Sequence, residues 1–320
     1  MIKQQAAAVD SIRLSGAQDT EPLGHKKSWE TSPKPSQGNE DGHVVYRAVW
    51  YGINLILLAS ILFALYTIAW EYSTRRYLKG FSDAVVPALA TPEQKILGIL
   101  NWMSNGPARL DDTSSTPTEN RDPTDTLNYR SLLKVCGSAT NAFINLADSS
   151  GLSARRLLLL DSDRGARHVV AEVHLNGQWI VVDPSFRTVL RDSHGGFLTS
   201  QNLADPRVFA MATRDIPDYD PSYTYMRTEH IRLERMFFFG NLIRRTFDLV
   251  HPGWDESPTL SLLLERTSFA GMITALLFLL FIILVRIFVR WIGEHRLGLS
   301  TPHFRNRIRR AGQAFLATTS

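Results

Sequence analysis

The chain of 320 residues contains one cysteine, Cys136. A lone thiol excludes an intrachain disulfide framework and a Cys-rich zinc site. An isolated cysteine is most often a small buried apolar residue, so its neighbours decide what it is for. Glycine-rich phosphate loops and internal repeats are also missing. Net charge is small, +4, and unevenly placed. Between Arg286 and Arg310 seven arginines accompany a single acid, Glu294, so this stretch carries about +6 and the remainder about −2. A nucleic-acid-binding domain spreads basic residues over a folded face. Here they flank an apolar run, which reads as a membrane-topology signal, and no nucleic-acid partner is expected.

Two apolar runs are present. Ala48 to Trp70 has no charged residue, and Trp50, Tyr51, Tyr66 and Trp70 sit near its ends. At about 1.5 Å per residue it covers the roughly 30 Å of a bilayer's hydrocarbon core, and such aromatic ends favour the interface. The second run is Phe269 to Val285, extended to Val289 if Arg286 snorkels. A long polar stretch precedes the first run, so it reads as a signal anchor rather than a cleaved signal peptide. The arginines after the second run predict a cytoplasmic C-terminus. Two spans then put both termini in the cytoplasm and residues 71–268 outside. Arg75, Arg76 and Lys79 after the first run argue the other way, but the C-terminal bias is larger. Expected domains are a disordered cytoplasmic tail over 1–44, spans over 48–70 and 269–289, an extracytoplasmic domain over 71–265 with its core at about 90–200, and a basic cytoplasmic tail over 290–320.

Thr91-Pro92-Glu93-Gln94 has the form of a helix start with a capping box. Ile96, Leu97, Leu100 and Trp102-Met103 follow as an apolar face. Pro107 to Asp125 reads as a loop, and Leu233 to Leu249 as a helix rich in Phe and Arg. Ala139, Ala142, Phe143, Leu146 and Ala147 fall at helical spacing, with Gly151 as the stop. Cys136 therefore lies at or near a helix start. Leu157 to Leu160 reads as a buried strand. His168 to Leu175 and Gln178 to Asp183 read as two strands around Asn176-Gly177, the strongest short hairpin signal.

That turn fixes a register. Leu175 faces Gln178, His174 faces Trp179, Glu172 faces Val181 and Val170 faces Asp183. Side chains alternate, so His168, Val170, Glu172 and His174 share a face with Trp179, Val181 and Asp183. His168 and Asp183 become diagonal neighbours, about 7–8 Å apart at the backbone and within reach of a side-chain hydrogen bond. An Asp bonded to one imidazole nitrogen orients the ring and leaves the other nitrogen for a thiol proton. A thiol at a helix N-terminus sits where the dipole favours its anion. Cys136, His168 and Asp183 are the candidate catalytic residues. Glu172 and Trp179 are candidates for a supporting or substrate-contacting role. His174 and His194 are not expected to be catalytic. No cofactor and no metal is expected.

The stretches Cys136-Gly137-Ser138-Ala139-Thr140-Asn141-Ala142-Phe143, Gly151-Leu152-Ser153-Ala154-Arg155, His168-Val169-Val170-Ala171-Glu172-Val173 and Gly177-Gln178-Trp179-Ile180-Val181-Val182-Asp183-Pro184 resemble the transglutaminase-like superfamily. The resemblance implies an α+β, papain-like core, a Cys-bearing helix packed on an antiparallel sheet, here flanked by two transmembrane helices. It implies Cys136 as nucleophile, His168 as general base and acid, and Asp183 as orienter. Val169-Val170 follows His168 where many relatives carry an aromatic residue. The family's upstream oxyanion-hole side chain has no assigned counterpart; Asn128 and Tyr129 are the candidates. The implied activity is acyl transfer at an amide or peptide bond of a protein or peptide substrate through a Cys thioester, hydrolysis ahead of cross-linking. The alternative is an inactive relative serving as a membrane-tethered binding or assembly module with envelope or surface-polymer partners.

Overall fold

A computed structural model describes residues 38–105, 122–128, 132–133, 135–161, 165–232 and 240–296. Contacts divide the chain into two compact units, Met1–Val45 and Tyr46–Ser320, and the second holds the sheet and the site. The disorder expected over 1–44 falls outside the described residues up to 37, and from Gly38 onward the chain is helical. Likewise 233–239 and 297–320 lie outside them, so the Phe-rich half of the expected 233–249 helix and most of the basic tail are not described.

Thr91 starts helix α2 (Pro92–Ser104), after the long helix α1 (Gly38–Val85). The capping box forms in both directions: Thr91 Oγ1 accepts from the Gln94 N–H at 3.3 Å, and Gln94 Oε1 accepts from the Thr91 N–H at 2.9 Å. The buried face is Ile96, Ile99, Leu100 and Met103, while Leu97 turns outward. Spacing from Ile96 explains this: positions three and four on share its face, and the next residue does not. Asp122 caps the short helix α3 (Pro123–Thr126), which replaces the last turn of the loop expected up to Asp125.

Helix α4 (Cys136–Ser149) is buried on every side from Gly137 to Ala147. Its stop is a Schellman arrangement. Gly151, at φ +82°, donates its N–H to the Asp148 carbonyl, and Leu152 to the Ala147 carbonyl. The chain then forms β1 (Ala154–Leu160), β2 (Ala166–Leu175), β3 (Gln178–Asp183) and β4 (Thr188–Val189). Helices α5 (Ser200–Leu203) and α6 (Pro206–Thr213) and strand β5 (Thr228–Glu229) follow. The sheet order is β4-β3-β2-β1-β5, with antiparallel neighbours. The β2–β3 turn carries Asn176 at φ 52° and Gly177 at φ 82°, the signs that a type I′ turn requires.

Both faces of the sheet are covered. Ala171, Val173, Ile180 and Val182 pack with Ala139, Ala142, Phe143 and Leu146 of α4 and with α2. Leu157, Leu159, Val170 and Val181 pack with Leu198, Leu203, Phe209 and Tyr225 on the other side. Burial on both faces is why Leu157 to Leu160 of β1 reads as an unbroken apolar run. Phe143 is fully enclosed between α4 and the sheet, where truncation to Ala costs about 3–5 kcal/mol. The chain thus forms the expected α+β core, mixed helix and antiparallel sheet.

Beyond β5 come α7 (Gly240–Val250), a 3-10 turn (Trp254–Glu256), α8 (Pro258–Glu265) and α9 (Thr267–His295). α1 and α9 are long and apolar enough to cross a membrane, and only 17% and 11% of their most apolar windows are buried. Leu55, Leu58, Leu62, Phe63, Leu277 and Phe281 all point outward, which a buried core helix would not allow. The two helices run antiparallel. A Cβ on Gly271 would touch Trp70, and one on Gly293 would come within 2.5 Å of the Tyr46 ring, so small residues set the approach. Arg286 donates to Asn54 Oδ1 at 3.1 Å and lies over the Trp50 ring at 5.0 Å. Arg286, expected to snorkel, thus has its partners on α1.

Arg266, 1% exposed, sits between α8 and α9. It donates to Asn145 Oδ1 and Asp148 Oδ2 of α4, both at 2.9 Å, and reaches Glu71 Oε1 of α1 at 3.4 Å. Ser268 donates to Glu71 Oε2 at 2.7 Å. Glu265 accepts from Arg156 of β1 at 2.8 Å and from Asn141 of α4 at 3.0 Å. Buried charges persist only when paired and hydrogen-bonded, and here the pairing ties both long helices to α4.

Candidate active site

Cys136 is the first residue of α4. Val135 before it is extended, at φ −139° and ψ 155°, and no side chain caps this end. The positive end of the helix dipole therefore bears on the thiol. Cys136 is half-buried against Leu158, Leu160 and Val169.

The β2–β3 register runs Leu175↔Gln178, His174↔Trp179 and Glu172↔Val181, as the turn dictates. On the other side of β2, Leu159 pairs with His168 but Leu160 pairs with Ala166. Arg167 is thus an extra residue, and its Nε bonds Asp161 at the surface at 2.8 Å. A bulge at this point re-aims the next side chain, which is His168.

His168 Nε2 lies 2.7 Å from Asp183 Oδ2. The two are 1% and 0% exposed. Asp183 Oδ1 accepts the N–H groups of Ser185 at 3.0 Å and Phe186 at 3.3 Å. The Tyr219 hydroxyl donates to Oδ2 at 3.0 Å. With Nε2 committed to the carboxylate, Nδ1 is the nitrogen left for the thiol, and Cys136 lies within hydrogen-bonding reach of the ring. Burial works to strip the imidazole of its proton. The charge and hydrogen bond of Asp183 outweigh it, Cys136 adds to them, and His168 is pushed up from 6.5 to about 9. Aromatic rings surround the imidazole. Tyr223 stacks on it at 4.2 Å with planes 3° apart, and Tyr219 and Phe186 meet it edge-on at 6.3 and 6.0 Å.

Residues 79–184 match the model of the transglutaminase-like superfamily. The chain carries a transglutaminase-like domain. No curated protein and no solved structure matches it. The matched stretch of the transglutaminase-like domain begins at Lys79, near the end of α1, and stops at Pro184, just past Asp183. Cys136, His168 and Asp183 fall inside it, whereas Tyr219 and Tyr223 fall outside.

Glu172 and Trp179 belong to a different cluster. Glu172 shares a strand face with His168 but lies four residues along, roughly 13 Å away at about 3.3 Å per residue. It accepts from Arg155 Nε at 2.8 Å and Ser200 Oγ at 2.7 Å, and bonds His230 Nε2 at 2.9 Å. Burial pushes its carboxyl up, but His230, Arg155 and Ser200 together hold it below the ordinary value. The Arg155 guanidinium lies 4.0 Å above the Trp179 ring. The contacts of Glu172 and Trp179 are thus with Arg155, His174, Ser200 and His230, and they brace β1, β2 and β3. His174 and His194 are exposed. Asn128 is exposed after α3, and Tyr129 lies outside the described residues.

Sequence reasoning missed Tyr219 and Tyr223. They stand four apart in Ile216-Pro217-Asp218-Tyr219-Asp220-Pro221-Ser222-Tyr223. Tyrosines alternating with Pro and Asp in a turn-rich segment are the only signal there, and it does not point to a strand thirty-six residues earlier.

Proposed function

We propose that this chain is a membrane-anchored cysteine acyl-transfer enzyme acting on amide or peptide bonds. The observation that carries the reading is the line from Asp183 through His168 to Cys136 at a helix start. Asp183 holds the imidazole, and the imidazolium and the α4 dipole favour the thiolate of Cys136. Sγ attacks the carbonyl carbon of the amide, and a tetrahedral oxyanion forms near the first turn of α4, where backbone N–H groups favour negative charge. The C–N bond breaks as His168 gives its proton to the departing amine, leaving a thioester on Cys136. His168 then takes a proton from water, which attacks the thioester and releases the acid. Water needs no binding site of its own, which favours hydrolysis over transfer to a second amine.

The anchoring part of the proposal rests on α1 and α9. The arginines beyond Arg286 favour a cytoplasmic C-terminus, which puts both termini inside and the catalytic domain outside. Protease added to sealed right-side-out cells is expected to cut the domain. Protection there, with cutting in inverted vesicles, reverses the orientation.

Labelling of Cys136 by a thiol-directed electrophile tests the catalytic part. Labelling is expected to be fast near neutral pH, and to slow at least tenfold in His168→Ala. A thiol that reacts no faster than free cysteine, unaffected by His168→Ala, leaves a binding or assembly module as the better reading.

A further inference from the structure

We propose that Tyr219 and Tyr223 are positioning residues for this site: they hold the His168 ring in the plane that presents its free nitrogen to Cys136 and shield the His168–Asp183 bond from water. The inference rests on the catalytic reading above and extends it to a segment beyond the matched domain.

Three features carry it. First, the Tyr219 hydroxyl shares one oxygen, Asp183 Oδ2, with His168 Nε2, at 3.0 and 2.7 Å. Two donors on one oxygen divide its charge, so the hydroxyl limits how strongly the carboxylate draws on the imidazole. Second, Tyr223 lies flat on the ring at 4.2 Å and 3°. A stacked ring blocks tipping about the His168–Asp183 bond and keeps water from that side. Third, the segment bringing both tyrosines is stiff. Asp218 is left-handed at φ 58°, Asp220 Oδ1 accepts the Ser222 N–H at 2.8 Å, and the Asp220 carbonyl accepts the Tyr223 N–H at 3.1 Å. Pro217 and Pro221 remove further freedom.

Tyr219 also lines an apolar cavity of about 500 Å³ with Phe209, Ile216 and Tyr225. On its other sides the ring packs on Phe186 at 4.5 Å and Tyr223 at 5.7 Å, and the bond to Asp183 fixes where its hydroxyl points.

The two tyrosines act through different parts, so conservative variants separate them. Tyr219→Phe keeps the ring and loses the hydroxyl. The Asp183 charge then falls more fully on His168, and the imidazolium persists to higher pH. Tyr223→Phe keeps the stacking ring, whereas Tyr223→Leu removes it.

The test uses the full chain in lipid nanodiscs, with Cys136 labelling by iodoacetamide followed from pH 5 to 10. Histidine-selective NMR, with His168→Ala to assign the signal, follows the ring itself. For Tyr219→Phe, the alkaline limb of labelling and the NMR midpoint are expected to move up together by about half a unit to one unit. Tyr223→Leu is expected to lose about tenfold in labelling rate, as a misplaced catalytic group does, and Tyr223→Phe to stay within about twofold of wild type. An NMR midpoint unmoved by Tyr219→Phe, or full reactivity in Tyr223→Leu, overturns the proposal. The two failures separate. A thiol that is inert in the wild type while the midpoint moves sinks the catalytic reading and leaves the coupling. A reactive thiol with an unmoved midpoint does the reverse.

Discussion

Raising the pH from 6.5 to 9 is expected to weaken the folded state through one buried pair, His168 and Asp183. Burial opposes a charge on His168, yet the Asp183 carboxylate outweighs it and lifts the ring from 6.5 to about 9. The folded chain therefore binds a proton in this window that the unfolded chain has released. Stability from that proton is fully present below about pH 6.5 and is lost as the pH climbs through about 9. A displacement of about 2.5 units, at about 1.4 kcal/mol per unit, corresponds to about 3 kcal/mol. His168 is 1% exposed, so solvent screening removes little of it. Asp183→Asn keeps the shape and removes the charge. Thermal unfolding of the full chain in detergent micelles, repeated across the pH range, gives the readout. Relative to Asp183→Asn, the wild type is expected to lose about 6–12 °C in midpoint between pH 6.5 and 9, taking about 2–4 °C per kcal/mol for a domain of this size. Cys136→Ser removes a smaller part of the effect, since the thiol is the lesser partner. Parallel curves for wild type and Asp183→Asn refute the reasoning, because the carboxylate would then not hold the proton on His168.

Arg266→Met leaves Asn145, Asp148 and Glu71 without their shared partner; a loss of about 3–5 kcal/mol is expected for one broken buried pair, read as a lower unfolding midpoint in micelles. Glu172→Gln removes the buried acid shared by Arg155 and His230, leaving Arg155 its exposed partner Glu256 at 3.2 Å, and is expected to cost about 1–3 kcal/mol. The Cys136 labelling rate should stay within about threefold, because Glu172 lies roughly 13 Å along the strand from His168. Gly293→Leu drives a side chain into the Tyr46 ring and is expected to force α1 and α9 apart. Engineered cysteines at Ala64 and Ala275, both buried on these two helices, in a Cys136→Ser background, should then cross-link with lower yield than the same pair with Gly293 intact. Unchanged yield argues against close packing of the two helices.

How much of this was legible beforehand depended on how local the signal was. Asn176-Gly177 fixed the hairpin register, and through it the meeting of His168 with Asp183, because a two-residue turn admits one pairing. Gly151 and the Ala/Phe/Leu spacing located α4, and the uncharged run after Ala48 located α1. Leu97 does not belong to the buried face on which the apolar pattern places it: counting three and four on from Ile96 selects Ile99 and Leu100 and leaves Leu97 outside. Arg266 carries no signal in sequence beyond its place ahead of an apolar run; its partners on α4 and α1 are more than a hundred residues away. Glu172 sat on the right strand face, but nothing in sequence announces that Arg155, Ser200 and His230 converge on it. Tyr219 and Tyr223 come from an irregular segment, where no period links a side chain to its target.

The Arg266 and Glu265 contacts also set an order of assembly. The polar side chains of α4 and the guanidinium of Arg156 find their partners on residues at the threshold of α9, over a hundred positions downstream. Until synthesis passes that threshold, each such group that collapses into the core without a partner costs about 1–3 kcal/mol. The polar groups on the helix bearing Cys136 are thus satisfied only once the chain has reached the start of the second long helix. A version cut free ahead of Glu265 is expected to lack these partners and to unfold at a lower temperature than the full chain.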